Sequence, residues 1–188
     1  MVKYLLVIFY MFCVNIFADP YSEVAKDDLE YIRETFYAAV DSENSLDELA
    51  AYIDEKFTED KESYPVLVLA YEGGLQSLKA KYSPFPISKF IYVKKALKIL
   101  ESAIEEAPEN LEIRFLRFAI LHNIPSIMGY GKERKNDAQL IVDLLLKKNF
   151  ANLDLNSQKD ITKYMLDSGR LTEDQTVRLE DNFLALNE

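Results

Sequence analysis

The chain has 188 residues and a formal charge of −10; 49% of its residues are apolar, 5 are glycine and 6 are proline. That apolar share supports a buried core and argues against a disordered or low-complexity chain. The acidic balance repels phosphate backbones and anionic lipid surfaces, so nucleic acid is not an expected partner. One cysteine and one histidine supply neither a disulfide framework nor a zinc or iron ligand set, so no metal and no cofactor is expected.

Residues 1–18 differ from everything after them. Lys3 gives a positive start, Tyr4 to Phe12 an unbroken apolar run, and Ile16-Phe17-Ala18 a small final residue before Asp19-Pro20. This is the order of a secretory signal peptide. The apolar stretch is short for a membrane span, which needs about 20 residues; an uncleaved anchor or a buried first helix is the alternative. Cys13 follows bulky Phe12, where bacterial lipoprotein processing takes a small residue, so lipid attachment is not expected. Residues 19–188 then form one domain's worth of chain, exported to a periplasm or to the extracellular space, with no stable membrane insertion after cleavage.

Helical spacing dominates the remainder. Val24, Leu29, Ile32, Phe36 and Val40 predict a helix over 21–41. Ser45-Leu46-Asp47-Glu48 reads as a capping box opening a second helix that buries Leu49, Tyr52, Ile53 and Phe57. A third helix is expected over 60–82, with Pro65 in its first turn. Ser83-Pro84-Phe85-Pro86 breaks the chain, and a fourth helix follows over 88–106. Pro108-Glu109-Asn110 turns into a fifth over 110–123, and a sixth is expected over 134–148. Asn156 is the expected cap of a seventh helix that stops at Gly169, and Thr172-Glu173-Asp174-Gln175 is a second capping box for the last. Eight helices with short links predict an all-α fold of stacked antiparallel helical hairpins.

Ala96 and Ala103, seven residues apart, lie almost on one line of the fourth helix and invite a close helix contact. Ala96, Leu100, Ala103 and Pro108 match the second-helix pattern of a tetratricopeptide repeat, and Gly73 or Gly74 is similar to the small residue of its first helix. Residues 66–122 thus resemble one degenerate repeat plus the next helix. About eleven extra residues, Pro84 and Pro86 among them, separate the two helices. Arg114, Arg117 and Phe118 stand where the next repeat carries an aromatic, a leucine and a glycine. The resemblance implies a degenerate tetratricopeptide-like array that binds a protein or peptide; an unrelated helical bundle remains the alternative.

No catalytic constellation stands out. His122 has no motif around it, and no glycine-rich phosphate loop follows a strand. Paired acids such as Asp27-Asp28, Asp54-Glu55 and Glu105-Glu106 read as solvated surface, because a glycosidase-like pair needs two carboxylates facing across a cleft. The candidate ligand-binding residues are Glu72, Arg114, Arg117, Asn123, Tyr130 and Lys132. The fifth helix is apolar nearly all round, and Arg114 and Arg117 point the same way from it. Buried guanidinium groups need an acid, and Glu72 is the expected one. These expectations describe an exported, non-catalytic scaffold for a protein or peptide partner. The alternative is a small anionic or amphiphilic ligand held between helices at Arg114 and Arg117, and a closed apolar cavity would favour it.

Overall fold

The computed structural model describes residues 24–57, 64–150 and 153–185. The expected signal peptide, with Lys3 and Cys13, lies outside the described residues. Among the described residues the secondary structure is entirely helical. The helices are α1 (Lys26–Ala39), α2 (Glu43–Lys56), α3 (Val66–Tyr82) and α4 (Pro86–Glu106). A 3-10 turn at Ser126–Met128 separates α5 (Leu111–Asn123) from α6 (Gly131–Leu146), and α7 (Leu155–Asp167) and α8 (Glu173–Ala185) close the array.

Sequence neighbours pack as pairs, α1 on α2, α3 on α4, α5 on α6 and α7 on α8. Within the first six helices, each odd helix also packs on the next odd one, α1 on α3 and α3 on α5. The result is a stack of hairpins, with α3 at its centre. That helix buries residues on nearly every face, from Val66 and Leu67 through Tyr71 and Leu75 to Ala80. One core cluster joins α1 to α5 around Ile32, Leu49, Tyr71 and Leu100; a second joins α5 to α8 around Phe118, Ile141 and Met165.

The α3–α4 contact depends on small residues. A Cβ on Gly73 would sit 2.8 Å from the Leu100 side chain and 3.3 Å from the Ala96 carbonyl oxygen. A Cβ on Gly74 would meet the Phe36 ring at 2.6 Å. Ala96 and Ala103 are fully buried. Backbones this close leave no room for a side chain at Gly73, where α3 meets α4, as the alanine line predicts, while Gly74 makes room for α1.

Helix ends show which sequence signals hold. Thr172 and Gln175 form the expected reciprocal box: the Thr172 amide donates to Gln175 Oε1 at 2.8 Å and the Gln175 amide to Thr172 Oγ1 at 3.3 Å. Gly169 takes the left-handed conformation just past α7, at φ +63°. Three other assignments are corrected. Ser42, not Ser45, caps α2, accepting from the Ser45 amide at 3.2 Å, while Glu48 instead accepts from the Tyr31 hydroxyl at 2.8 Å. Asp154, not Asn156, caps α7; it accepts from the amides of Asn156 and Ser157 at 2.8 and 3.0 Å, and a bond from the Ser157 hydroxyl, helped by those amides, holds its carboxyl below the usual range. Pro65 is the residue before α3 rather than part of its first turn. Pro86, by contrast, opens α4 at a position where its missing amide costs nothing.

Enlarging the small residues of this crossing tests the packing. Gly73→Val and Ala103→Leu should each lower stability by about 1–3 kcal/mol, since neither site has space to yield. Chemical denaturation of each variant measures this, and unchanged midpoints would place the crossing elsewhere.

Candidate functional site

A groove of about 1120 Å³ runs across the odd-numbered helices. Phe36 and Tyr37 of α1, with Val40 just past its end, form one side, and Phe115, Leu116, Ala119 and Ile120 of α5 the other. Gly74, Ser77, Leu78 and Ala80 of α3 make its floor, and Tyr164 of α7 closes one flank. Phe90 and Val93 of α4 and the link from Ile124 to Met128 complete it. Gly74 matters here, because the Phe36 ring occupies the space its missing side chain would take.

The groove is apolar by construction. It takes the helix stripes left over once each helix has buried its core face. Half-exposed Tyr37 and Phe90, and Ile127 at 94% exposure, extend its apolar surface to solvent. Among the described residues no carboxylate side chain lines it, and its charged residues are Lys81 and Lys89. Both ammonium groups rest on helix C-terminal carbonyls. Lys81 donates to the Val40 carbonyl at the end of α1, and Lys89 to the Lys81 carbonyl at 3.4 Å. Tyr82 adds donations to the Ala39 and Val40 carbonyls at 2.9 and 3.0 Å. These contacts satisfy the open end of α1 and set positive charge against the negative end of its dipole.

The groove's side walls are held together beneath the surface. Glu112, in the first turn of α5, is buried and accepts two bonds from Arg33 of α1, at 2.7 and 2.6 Å, and one from the Tyr71 hydroxyl of α3, at 2.5 Å. Burial and the Glu112 charge push the Tyr71 phenol well above its ordinary pKa, so it remains a donor. One carboxylate therefore ties α1, α3 and α5 together. A forked guanidinium suits it, because two parallel bonds fix both angle and distance.

The residues expected from sequence do not form one site. Arg114 and Arg117 do point the same way and are largely shielded, but their acid is Asp137 of α6, not Glu72. Arg114 donates to Asp137 Oδ1 at 3.0 Å, and Arg117 to both its oxygens at 2.7 Å. Arg114 also donates to the Pro108 carbonyl at 2.7 Å. Asp137 is completely buried. Glu72 is buried on α3 and accepts from Gln76, one turn on, at 2.9 Å. Asn123 lies on the groove, donating to the Ala119 carbonyl and to the Tyr164 hydroxyl at 2.8 and 3.1 Å. Tyr130 shares a separate cavity of about 350 Å³ with Arg117, Lys94, Lys98, Glu101 and Glu133. Lys132 is exposed in the first turn of α6. An anion seated on Arg114 and Arg117 would have to displace a buried carboxylate that already bridges them.

His122 sits beside the groove's α7 flank. Its ring stacks on Phe118 and meets Tyr164 edge-on, and Nδ1 accepts from Arg170 at 3.3 Å. Burial and the positive charges of Arg170 and Arg134 lower its pKa, keeping the imidazole neutral at physiological pH. Among the described residues no group of three His, Cys, Asp or Glu is placed to hold a metal ion. No family model matches this chain, and comparisons with curated proteins and with solved structures likewise find no match.

The Arg114–Asp137–Arg117 bridge joins α5 to α6 and should behave as a structural unit. Asp137→Ala leaves two shielded guanidinium groups side by side without a counter-charge and should cost about 3–5 kcal/mol. Arg114→Met should cost less, because Arg117 still neutralises Asp137 through two bonds. Denaturant melts decide this; an Asp137→Ala variant as stable as the wild type would remove the bridge from the account.

Proposed function

We propose that this chain is an exported helical scaffold that binds an apolar segment of a partner protein in the groove across α1, α3, α5 and α7. In this reading the array is a degenerate, tetratricopeptide-like stack, and it performs no chemistry of its own. The observation that carries the proposal is the groove itself: open, apolar, and about 1120 Å³. Pockets for small ligands run to about 300–1,000 Å³ and bury most of the ligand, so this open site suits a longer occupant. An amphipathic helix laid with its apolar stripe in the groove meets these conditions. Lysine ammoniums at one end, and the absence of carboxylates along the walls, favour a segment whose flanking residues are neutral or acidic.

Substitutions at the rim test the proposal without disturbing the core. Ile127→Asp combined with Tyr37→Asp places charge on exposed positions of the groove, and Arg114→Met serves as a control away from it. Partners cross-linked to the wild-type protein in its own cell envelope should be lost with the rim variant and kept with the control. Equal recovery with both variants would exclude the groove as the binding surface. Thermal melts confirm that the rim variant keeps its fold.

A further inference from the structure

Between Glu72 and Glu101 the chain carries six lysines and no acidic residue, in a protein whose formal charge is −10. This basic stretch covers the end of α3, the turn, and most of α4. It also holds a concentration of exposed apolar side chains: Phe85 and Ile87 are 67% and 76% exposed, and Phe90 and Ile91 about half. The chain spends apolar surface and positive charge at one corner while remaining acidic elsewhere.

Helical spacing orders these residues. Positions 87, 90, 91, 94, 95 and 98 fall on one stripe of α4, opposite the buried stripe of Val93, Ala96, Leu97 and Leu100. Along that stripe the first turn is apolar (Ile87, Phe90, Ile91) and the next two are basic (Lys94, Lys95, Lys98). The lysines stand about one turn, or 5.4 Å, behind the apolar tip. Lys94 Nζ lies 4.7 Å from the centre of the Phe90 ring, joining tip to collar. Acids resume at Glu101, which with Glu133 of α6 lines the small cavity on the side of Lys94 and Lys98 away from the tip.

From this arrangement we infer that the α3–α4 corner is an interfacial anchor for an anionic lipid surface, beside the peptide-binding groove and sharing Phe90 with it. Phe85, Ile87 and Ile91 enter the boundary between headgroups and acyl chains, and Lys94, Lys95 and Lys98 lie at the level of the lipid phosphates. Apolar tips of this kind bind weakly alone and gain strength from each lysine near a negative surface. A protein partner is the poorer fit. Protein interfaces are depleted in lysine and enclose their apolar anchors in pockets, whereas this tip projects outward and carries a lysine collar. The acidic remainder of the molecule is repelled by the same surface, so it fixes the orientation with the corner toward the lipid. Among the described residues no helix is long and apolar enough to cross a membrane, and none needs to.

The chain contains no tryptophan, so a single one reports on its own surroundings. In the full chain, Phe85→Trp places the probe at the tip, and Val177→Trp, at an exposed position of α8, is the control. With phosphatidylglycerol vesicles bearing brominated acyl chains, emission of the tip probe should shift to the blue and be quenched. Val177→Trp should stay unquenched in those vesicles, and the tip probe should stay unquenched in phosphatidylcholine vesicles of the same kind. Replacing Lys94, Lys95 and Lys98 by Gln in the Phe85→Trp chain should weaken vesicle binding roughly a hundredfold. The tip probe remaining unquenched in anionic vesicles overturns the inference, as does equal quenching of both probes. A blue shift that grows with protein concentration in the absence of vesicles also overturns it, since a second copy would then cover the patch. All the replaced side chains are exposed, so unchanged thermal melts exclude misfolding as the cause.

Discussion

A buried carboxylate on α5 governs how the first five helices meet. Glu112 sits in a largely apolar interior, where an unpaired charge would be expensive, and it is held by a forked guanidinium from α1 and a phenol from α3. Those three bonds come from residues 79 and 41 positions earlier in the chain. Apolar packing alone tolerates sliding between helices, because contact area changes little with a small shift. A bidentate ion pair does not, because a displacement of an ångström or so breaks both bonds at once. Glu112 thereby sets the alignment of α1, α3 and α5, the helices whose outward stripes form most of the groove.

The same helix carries the opposite arrangement on its other side. Arg114 and Arg117 reach Asp137 of α6, so α5 offers an acid to the helices before it and two bases to the helix after it. Between them Leu111, Ile113, Leu116, Phe118 and Leu121 fill both main core clusters or the small third one. With its polar groups consumed in ion pairs and its apolar groups shared between cores, α5 links the two halves of the array. Its Phe115, Ala119, Ile120 and Asn123 stripe, with the edge of core residue Leu116, faces the groove. The pairing of charges explains how an acidic chain can hold three arginine side chains largely out of water.

How much of this the sequence discloses depends on the range of each interaction. Local features are legible: the proline break before α4, the Thr172–Gln175 box, the left-handed Gly169, and the alanine line that predicts a close contact on α4. Ambiguity begins where two candidates stand within a few residues. Ser42 and Ser45 are both serines at the start of one helix, Ser45 alone with an acid three residues on, and Asp154 and Asn156 are both good caps, so the choice falls to the chain's path into the helix. Long-range partners are not legible. The pattern of α5 demands an acid for its arginines, yet nothing in the spacing distinguishes Glu72 from Asp137. The Glu112–Arg33 pair has no local signature at all, since a glutamate in a first turn ordinarily reads as a surface residue near a helix dipole. The groove is invisible for the same reason, being made from five helices and a link. The lysine stretch of α3 and α4 was readable from composition alone, but its meaning depends on the exposure of Phe85 and Ile87.

The claim that Glu112 and Arg33 together fix the first helices is tested most directly by a double-mutant cycle. Arg33→Met, Glu112→Gln and the double variant, compared by denaturant unfolding, isolate the coupling between the two side chains from their separate effects. The account predicts a favourable coupling of about 2–3 kcal/mol, with Arg33→Met alone strongly destabilising and partly rescued by adding Glu112→Gln. Single effects that add to within about 0.5 kcal/mol would contradict it, leaving apolar packing alone to set the alignment of α1, α3 and α5.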